Sequence, residues 1–329
     1  MSITILTEED IRRCVSLDHD VINEVAEGFS KLAAQEVTLP PILRVDVPQN
    51  HGEVDVKTAY IHGLDSFAIK IAAGFFDNHL LDLPTGSGMM VLVSAKTGRP
   101  LAVLLDNGYL TDVRTAAAGA IAAQHLAPKQ VNTAGVIGSG MQARFQMRAL
   151  KLVRDFQRLL VYGIVPEEVK RYASEIAPEL GVEVISLADP KTLVLSSDVV
   201  VTTTPAHAPY LQADWLHSGL HLTCVGSDSE DKQETSTDVF ARVDRIACDS
   251  KAQCFRLGEL HHALEAGVIS PEDEIIELGE LTSGQKSGRS DDTEITICDL
   301  TGVGVQDTQI ARLAYHRASE MGLGFTIED

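Results

Sequence analysis

The stretch Thr133-Ala-Gly-Val-Ile-Gly-Ser-Gly-Met-Gln-Ala143 decides the fold. A short apolar run rich in β-branched residues enters a turn built on Gly138 and Gly140. It leaves into residues 142–153, a segment of helical composition without Pro or Gly. Strand, Gly-rich turn and helix follow in the order of a Gly-x-Gly-x-x-Gly/Ala dinucleotide fingerprint, with Ala143 at the third small position. Gly138 permits the tight turn, Gly140 lets backbone approach a pyrophosphate, and Ala143 lets the helix lie close to the sheet. Gly-rich turns are common. The flanking strand and helix give this one its meaning.

Downstream and just upstream, strands read at residues 133–137, 158–162, 199–203, 221–225, 245–248 and 294–299, with helical text between several of them. Such alternation predicts a parallel, doubly wound sheet. Nearer the N-terminus the text differs. Thr7-Glu-Glu-Asp10 opens a short helix as a capping box, and Ile22, Val25, Ala26, Phe29, Leu32 and Ala33 share one face of a second. After Pro40-Pro41, residues 42–93 carry strand-like runs punctuated by Asn-His-Gly, His-Gly and Lys-Thr-Gly turns, a separate and mostly antiparallel unit. Thr111-Asp-Val-Arg-Thr115 caps an Ala-rich helix reaching Leu126, and a last helix over residues 308–318 returns to the first unit. The expected fold class is α/β: a Rossmann-type parallel sheet over residues 116–304, inserted into a smaller α+β domain of residues 1–115 plus 305–329. Residues 282–292, rich in Ser, Gly and Asp, read as a mobile loop.

With 329 residues and 44% hydrophobic content, the chain is long enough for two domains. Its net charge of −20 is spread along the chain and repels nucleic acid and anionic membrane, so a small-molecule partner is expected. The five cysteines (Cys14, Cys224, Cys248, Cys254, Cys298) are widely spaced and mostly inside apolar runs, which reads as buried thiols in a reducing compartment. His261-His262 is the only His pair and reads as lacking acidic or Cys companions at ligand spacing, so no metal is expected. There is no basic n-region ahead of an apolar stretch and no apolar run of membrane length. A cytoplasmic protein is expected.

Several polar residues stand out. Lys70 interrupts the apolar Phe67-Ala-Ile-Lys-Ile-Ala-Ala-Gly-Phe-Phe76. Lysine is almost never fully buried unless paired, so spacing favours the wet face of a half-buried strand. The functional alternative is a cleft-facing lysine donating to a substrate carboxylate, carbonyl or imine. Arg44 and Arg114 are guanidinium forks able to hold an α-carboxylate bidentately. Their plain alternatives are structural ion pairs, with Asp46 or Asp55 for Arg44 and Asp112 for Arg114.

Asp228 follows the apolar strand beginning at His221. Ligands of open α/β sheets bind beyond the carboxyl ends of strands, which places an acid there for proton transfer with a substrate amine. The plain alternative is a turn or N-cap aspartate. Thr202-Thr-Thr-Pro205 ends the preceding strand on the nicotinamide side. Asp299-Leu-Thr-Gly-Val-Gly-Val-Gln-Asp307 reads as a second close-approach Gly turn. An acid usually closes the second strand of an NAD site, roughly 20 residues past the glycines. Here Leu160-Val-Tyr-Gly-Ile-Val-Pro166 carries neither acid nor arginine, so NAD or NADP is undecided.

In order, Arg44, Lys70 in Ala-Ile-Lys, Thr111-Asp-Val-Arg-Thr-Ala-Ala-Ala118, Gly138-Ser-Gly-Met-Gln-Ala143, Thr202-Thr-Thr-Pro205, Gly226-Ser-Asp228 with Lys232 and Glu234, and Asp299-Leu-Thr-Gly-Val-Gly304 form one set. The set resembles the ornithine cyclodeaminase/μ-crystallin family over nearly the full length. The resemblance implies a Rossmann NAD(P)-binding domain inserted between an N-terminal substrate and dimerisation domain and a returning C-terminal helix, in a homodimer. By motif, Arg44, Lys70 and Arg114 would hold and polarise the substrate, with Lys70 and Asp228 catalytic and Asp228 the acid/base. Asp55 and Gly302 join the substrate side. Cofactor contacts are implied for Gly138, Ser139, Gly140, Met141, Gln142, Thr115, Thr202, Thr203, Thr204, Ser227 and Val303.

The implied reaction is NAD(P)H-dependent hydride transfer at the α-carbon of a small imino or amino acid. The family also contains cyclodeaminases, which release ammonia with internally recycled NAD, and μ-crystallin, a binding protein. This chain departs from true cyclodeaminases. Between Asp55 and Lys70 it reads Val-Lys-Thr-Ala-Tyr-Ile-His-Gly-Leu without their Met-Pro, and after Lys70 it lacks their Tyr-Val-Asn-x-His-Pro. Pro40-Pro-Ile-Leu-Arg44, Gly52-Glu-Val-Asp-Val-Lys-Thr-Ala-Tyr60 and Gly74-Phe-Phe-Asp-Asn78 resemble the ectoine-utilisation branch.

Overall fold

The computed structural model describes residues 2–328. The chain divides into two compact units, one of residues 1–115 with 303–329 and one of residues 116–302. In the first, strands lie in the order Phe325–Glu328, Ser2–Thr7, Pro100–Leu105, Gly86–Ser94, Ser66–Phe75, Gly52–Ile61, Val37–Thr38, and Leu43–Val47 also pairs with Gly52–Ile61. Ser2–Thr7 runs parallel to Pro100–Leu105, and the other pairs are antiparallel. Ser2–Thr7, Val37–Thr38, Pro100–Leu105 and Phe325–Glu328 are additions to the strands expected from sequence.

Helices His19–Ala33 and Gly304–Glu320 pack together, and Gly304–Glu320 lies on the two long strands 52–61 and 66–75. The strand period of two then sorts the residues. Asp55, Lys57, Ala59 and Ile61 share the buried face of one strand, and Ser66, Ala68 and Lys70 that of the next. Thr308 fastens helix to sheet, its hydroxyl accepting from Ala68 N–H at 3.1 Å and donating to the Ala59 carbonyl at 2.7 Å. At Gly304 a Cβ would lie 2.4 Å from the Thr58 carbonyl. Glycine alone lets the helix start this close. The close approach expected within residues 299–307 is therefore that of a helix to a strand, and the helix begins at Gly304 rather than Thr308.

The capping box forms between Thr7 and Asp10. The Ala-rich helix starts at Tyr109, ahead of the expected Thr111, where the Asp106 carboxylate accepts from Leu110 N–H at 2.8 Å and so supplies the cap.

The second unit is a parallel sheet in the order Glu183–Ser186, Arg158–Tyr162, Thr133–Ile137, Val199–Thr202, His221–Cys224, Thr296–Asp299, Arg245–Cys248, Ile275–Glu277. From Thr133–Ile137 the chain winds outward in one direction and then crosses to Val199–Thr202 on the other side. That reversal is a topological switch point, and Gly138 lies at it. The two edge strands, Glu183–Ser186 and Ile275–Glu277, are too short to carry a legible alternation. Residues 282–292 form the expected loop, but it is tied down. Arg289 donates to the carbonyls of Leu126 at 2.5 Å, Glu294 at 2.6 Å and Leu220 at 3.1 Å. All five cysteines are buried and free. Among the described residues no helix is long and apolar enough to cross a membrane.

Candidate functional site

In the second unit Gly138 adopts φ +114°, and a Cβ there would lie 2.4 Å from Thr203 Oγ1. Both the backbone conformation and the neighbouring strand end demand glycine. Gly140 is the opposite case. No described atom stands within 4 Å of where its Cβ would be. It is the N-cap of helix Met141–Val153, and no side chain among the described residues caps it. First-turn N–H groups lack intrahelical acceptors and carry the positive end of the helix dipole, so open space there suits an anion. Met141 and Gln142 occupy that turn. The Ser139 carbonyl accepts from Arg144 Nη1 at 2.5 Å, and Arg144 also bonds the Gly140 carbonyl and Glu175, which commits that guanidinium to shaping the turn. A pyrophosphate fits this cradle. At the end of Arg158–Tyr162, where a ribose-reading acid would stand, the chain presents Gly163 and an exposed Ile164.

Thr202, Thr203 and Thr204 close the adjoining strand, and their hydroxyls are engaged internally. Thr203 Oγ1 donates to the Ile137 carbonyl at 3.1 Å, while Thr202 and Thr204 donate to Glu234 at 2.6 and 2.7 Å. Glu234 is fully buried and also accepts from Thr204 N–H at 2.7 Å, Tyr210 Oη at 2.7 Å and Gly226 N–H at 2.9 Å. One carboxylate thus ties together the ends of two neighbouring strands. Burial pushes its acidity down, opposed by the bonds from Thr202 and Thr204.

Behind it, Glu259 accepts from the N–H groups of Glu234 at 2.7 Å and Thr235 at 3.0 Å. Burial first and the Glu234 charge second push the Glu259 pKa up to about 7 from 4.5. An acid raised on folding contributes stability that is fully present below its unfolded value and lost as pH rises through its folded value. Urea midpoints should therefore fall between pH 4.5 and about 7, and Glu259→Gln should flatten that slope.

Asp228 lies in the turn after His221–Cys224, partly exposed, and its Oδ1 accepts from Lys232 Nζ at 2.7 Å. Lys232 is mostly buried. Its carbonyl accepts from the buried Ser227 hydroxyl and from His262 Nε2, the latter at 2.9 Å. The acid is thereby oriented by a lysine that is itself anchored. Gly302, at φ +79°, donates its N–H to Asp249 Oδ2 at 2.6 Å. His261 and His262 do have an acidic companion, contrary to the sequence reading. Glu265 lies one helical turn on, and ligand atoms of the three lie within 4.8 Å. His261 Nδ1 and His262 Nε2 already face the Phe255 and Lys232 carbonyls.

In the first unit Lys70 is 1% exposed, which overturns the wet-face reading. It shares the helix-covered face with Ser66 and Ala68. Its Nζ lies 3.1 Å from Asp307 Oδ1, and Arg114 Nε lies 2.9 Å from the same oxygen. Arg114 Nη1 also donates to Gln306 Oε1 at 3.2 Å, and Val303 N–H donates to that oxygen at 2.8 Å. The ion pair the structure gives Arg114 is with Asp307, not with Asp112, which lies two positions away on the same helix and so faces another way. Thr115 follows Arg114 on the same helix and is partly buried.

Arg44 takes its plain alternative. Its Nε bonds Asp46 at 2.8 Å and its Nη2 Glu53 at 2.5 Å, with Asp55 at 4.0 Å from Nη1. Asp55 lies opposite Arg44 in register, and its Oδ1 has no hydrogen-bond partner among the described residues.

The structure therefore brings Lys70 and Arg114 together, around an acid that sequence reasoning missed. Asp307 and Gln306 carry no local signal, since a polar pair in a helix is ordinarily solvated. Lys57 was legible: in Asp55-x-Lys57-x-Ala59-x-Ile61 the alternation alone puts it on the apolar face, and it lies opposite Lys70 in register.

A doubly wound sheet with an anion cradle at its switch point and a mixed-sheet unit that buries paired cations together define a two-unit protein of the dinucleotide-binding class. The model of the ornithine cyclodeaminase/mu-crystallin family matches residues 1–322, and the chain belongs to that family. It is 49% identical to an uncharacterized cyclodeaminase of Sinorhizobium fredii, over 98% of each chain. Two solved structures share the fold. One is an archaeal alanine dehydrogenase dimer with bound NAD, at TM-score 0.92 and 32% identity over 100% of this chain and 99% of that one. The other is the Δ1-pyrroline-2-carboxylate reductase of Thermococcus litoralis in complex with NADH and L-proline, at TM-score 0.94 and 29% identity over 99% and 100%.

Proposed function

We propose that this chain is a nicotinamide-dependent reductase of a small α-imino acid, which in reverse oxidises the amino acid. The observation that carries this reading is the burial of Lys70 and Arg114 side by side, in a chain whose other unit holds a dinucleotide-type cradle. The solved relatives that act on alanine and on pyrroline-2-carboxylate support the same substrate class.

Gly138, Ser139, Gly140 and the first turn from Met141 would hold the pyrophosphate, with the backbone of residues 202–204, Ser227 and Val303 toward the nicotinamide. When bound, a reduced nicotinamide supplies a hydride. Arg114 offers a fork for the substrate carboxylate. Lys70, as an ammonium, donates a hydrogen bond to that carboxylate or to the imine. Asp228, oriented by Lys232, exchanges a proton at the substrate nitrogen. Arg44 and Asp55 would close the outer edge, Arg44 through the acids that already hold it.

Net oxidation of NADH or NADPH by cyclic or open-chain α-imino acids tests the reading. Ammonia release from ornithine or another diamino acid with no net cofactor change would instead establish a cyclodeaminase, the reading favoured by the Sinorhizobium relative's name. Cofactor binding without turnover on either panel would overturn both. Whether the substrate belongs to ectoine breakdown is decided by including ectoine-derived diamino acids.

The cradle has its own test. Gly140 has ordinary extended backbone and open space around it, so Gly140→Val should fold and lose only about 1 kcal/mol through the poorer N-cap. The added side chain would nevertheless occupy the pyrophosphate's approach, weakening NADH binding by about tenfold or more, some 1.4 kcal/mol, in a fluorescence titration. Unaltered affinity would put the pyrophosphate elsewhere.

We propose further that the protein pairs with a second copy through the first unit, which exposes Leu43, Val45, Leu80, Leu81 and Leu83. Light scattering reads the mass directly, and a monomer would remove the pairing.

A further inference from the structure

We infer that Asp307 is a positioning residue of the substrate half-site, holding the Lys70 ammonium and the Arg114 guanidinium side by side through a single carboxylate oxygen. This deepens the proposed imino-acid reading and rests on it.

Asp307 is fully buried in the first turn of helix Gly304–Glu320, the end of a helix that favours an anion. Its Oδ1 lies 3.1 Å from Lys70 Nζ and 2.9 Å from Arg114 Nε. Neither of its oxygens makes a well-directed hydrogen bond among the described residues. The contact is one of charge with charge. Gln306 grips Arg114 from the other side, accepting from Nη1 at 3.2 Å and donating to its carbonyl at 3.3 Å.

Two cations brought to one atom repel each other, and burial penalises both. Every element packed around Lys70 contributes. Strand 52–61 brings Lys57 opposite it and Asp55 on the same face, and strand 86–94 brings the uncharged Met90. Helix 109–126 brings Arg114, helix 304–320 brings Asp307, and the turn before helix 109–126 brings Asp106. Burial first and the Arg114 charge second pull Lys70 down to about 7 from 10.5, and Asp307 opposes both. The ammonium is present below that value and lost as pH rises through it. Asp307 is therefore what separates a proton-bearing Lys70 from a neutral amine at ordinary pH.

The test reads Lys70 directly, through the Cε resonance of 13C-lysine-labelled full-length protein, assigned by its loss in Lys70→Arg. In Asp307→Asn the Lys70 titration should move down by about one pH unit or more, and in Arg114→Met it should move up. The alkaline limb of kcat/KM for imino-acid reduction should follow the resonance in Asp307→Asn. An unmoved Lys70 titration, with activity lowered equally at every pH, would make Asp307 merely structural and overturn the inference. If Asp307→Asn does not fold, Arg114→Met decides, and a titration that stays or falls there overturns it. If the wild type reduces no imino acid, the functional reading fails, while opposite shifts in the two variants still uphold the role of Asp307.

Discussion

Replacing Asp228 with asparagine is expected to lower kcat for imino-acid reduction by about 10²- to 10⁴-fold, the range associated with loss of a positioned acid or base. Asparagine keeps the shape and an acceptor for Lys232 but cannot take up or release the proton at the substrate nitrogen. The carboxylate is partly exposed, follows the C-terminal end of a sheet strand, and is held at 2.7 Å by Lys232. There is a second consequence. Lys232 is buried, and the variant removes the carboxylate charge that its ammonium bonds, so stability falls as well. The two effects separate in Asp228→Asn/Lys232→Met, which removes the lysine charge as well. Urea midpoints should recover in the double variant and turnover should not. Recovery of turnover would show that the single variant fails through Lys232, and Asp228 would leave the proton path.

The largest stability effect is expected at Glu234. Its carboxylate collects three hydroxyls and the N–H groups of Thr204 and Gly226. In Glu234→Ala the hydroxyls can rotate toward other acceptors, but the two backbone donors stay fixed by the strand ends. Each buried unsatisfied donor costs about 1–3 kcal/mol, so a loss of about 3–5 kcal/mol is expected. Water entering the vacated space would bring the loss to the lower end. Gly226 has no room to adjust, since a Cβ there would lie 2.1 Å from the Thr204 carbonyl. Urea unfolding checks the magnitude, and NADH affinity should fall with it because the strand end tied by Glu234 packs through Thr203 against Gly138 of the cradle. A variant as stable as the wild type would mean that the threonine hydroxyls do not depend on Glu234.

The second unit was largely legible because its signals are local. The turn at Gly138–Gly140, the helix after it and the strands between Thr133 and Asp299 are each specified by neighbours in sequence: β-branched runs, small residues at a fixed offset, and helical text between. The position of Asp228, in the turn after an apolar strand, is legible for the same reason. The first unit was harder. Lys70 and Arg44 stand out as basic residues in apolar text, but spacing alone does not say what surrounds them. Spacing favoured a wet Lys70, which lies under a helix. For Arg44 a substrate clamp and an ion pair with Asp46 or Asp55 are both open in the sequence, and the structure pairs it with Asp46 and with Glu53.

By itself, then, the sequence determined the parallel sheet, the switch-point turn, the family and the identities of the basic residues, because periodicity, turn chemistry and charge are properties of short stretches. The tertiary structure decided which of those residues act together. Lys70, Arg114 and Asp307 are separated by 44 and 193 positions along the chain and meet only because a C-terminal helix folds back onto the face of two central strands. Burial beneath that helix turns the charge on Lys70 into a property set by its neighbours, and no window of sequence contains all of them.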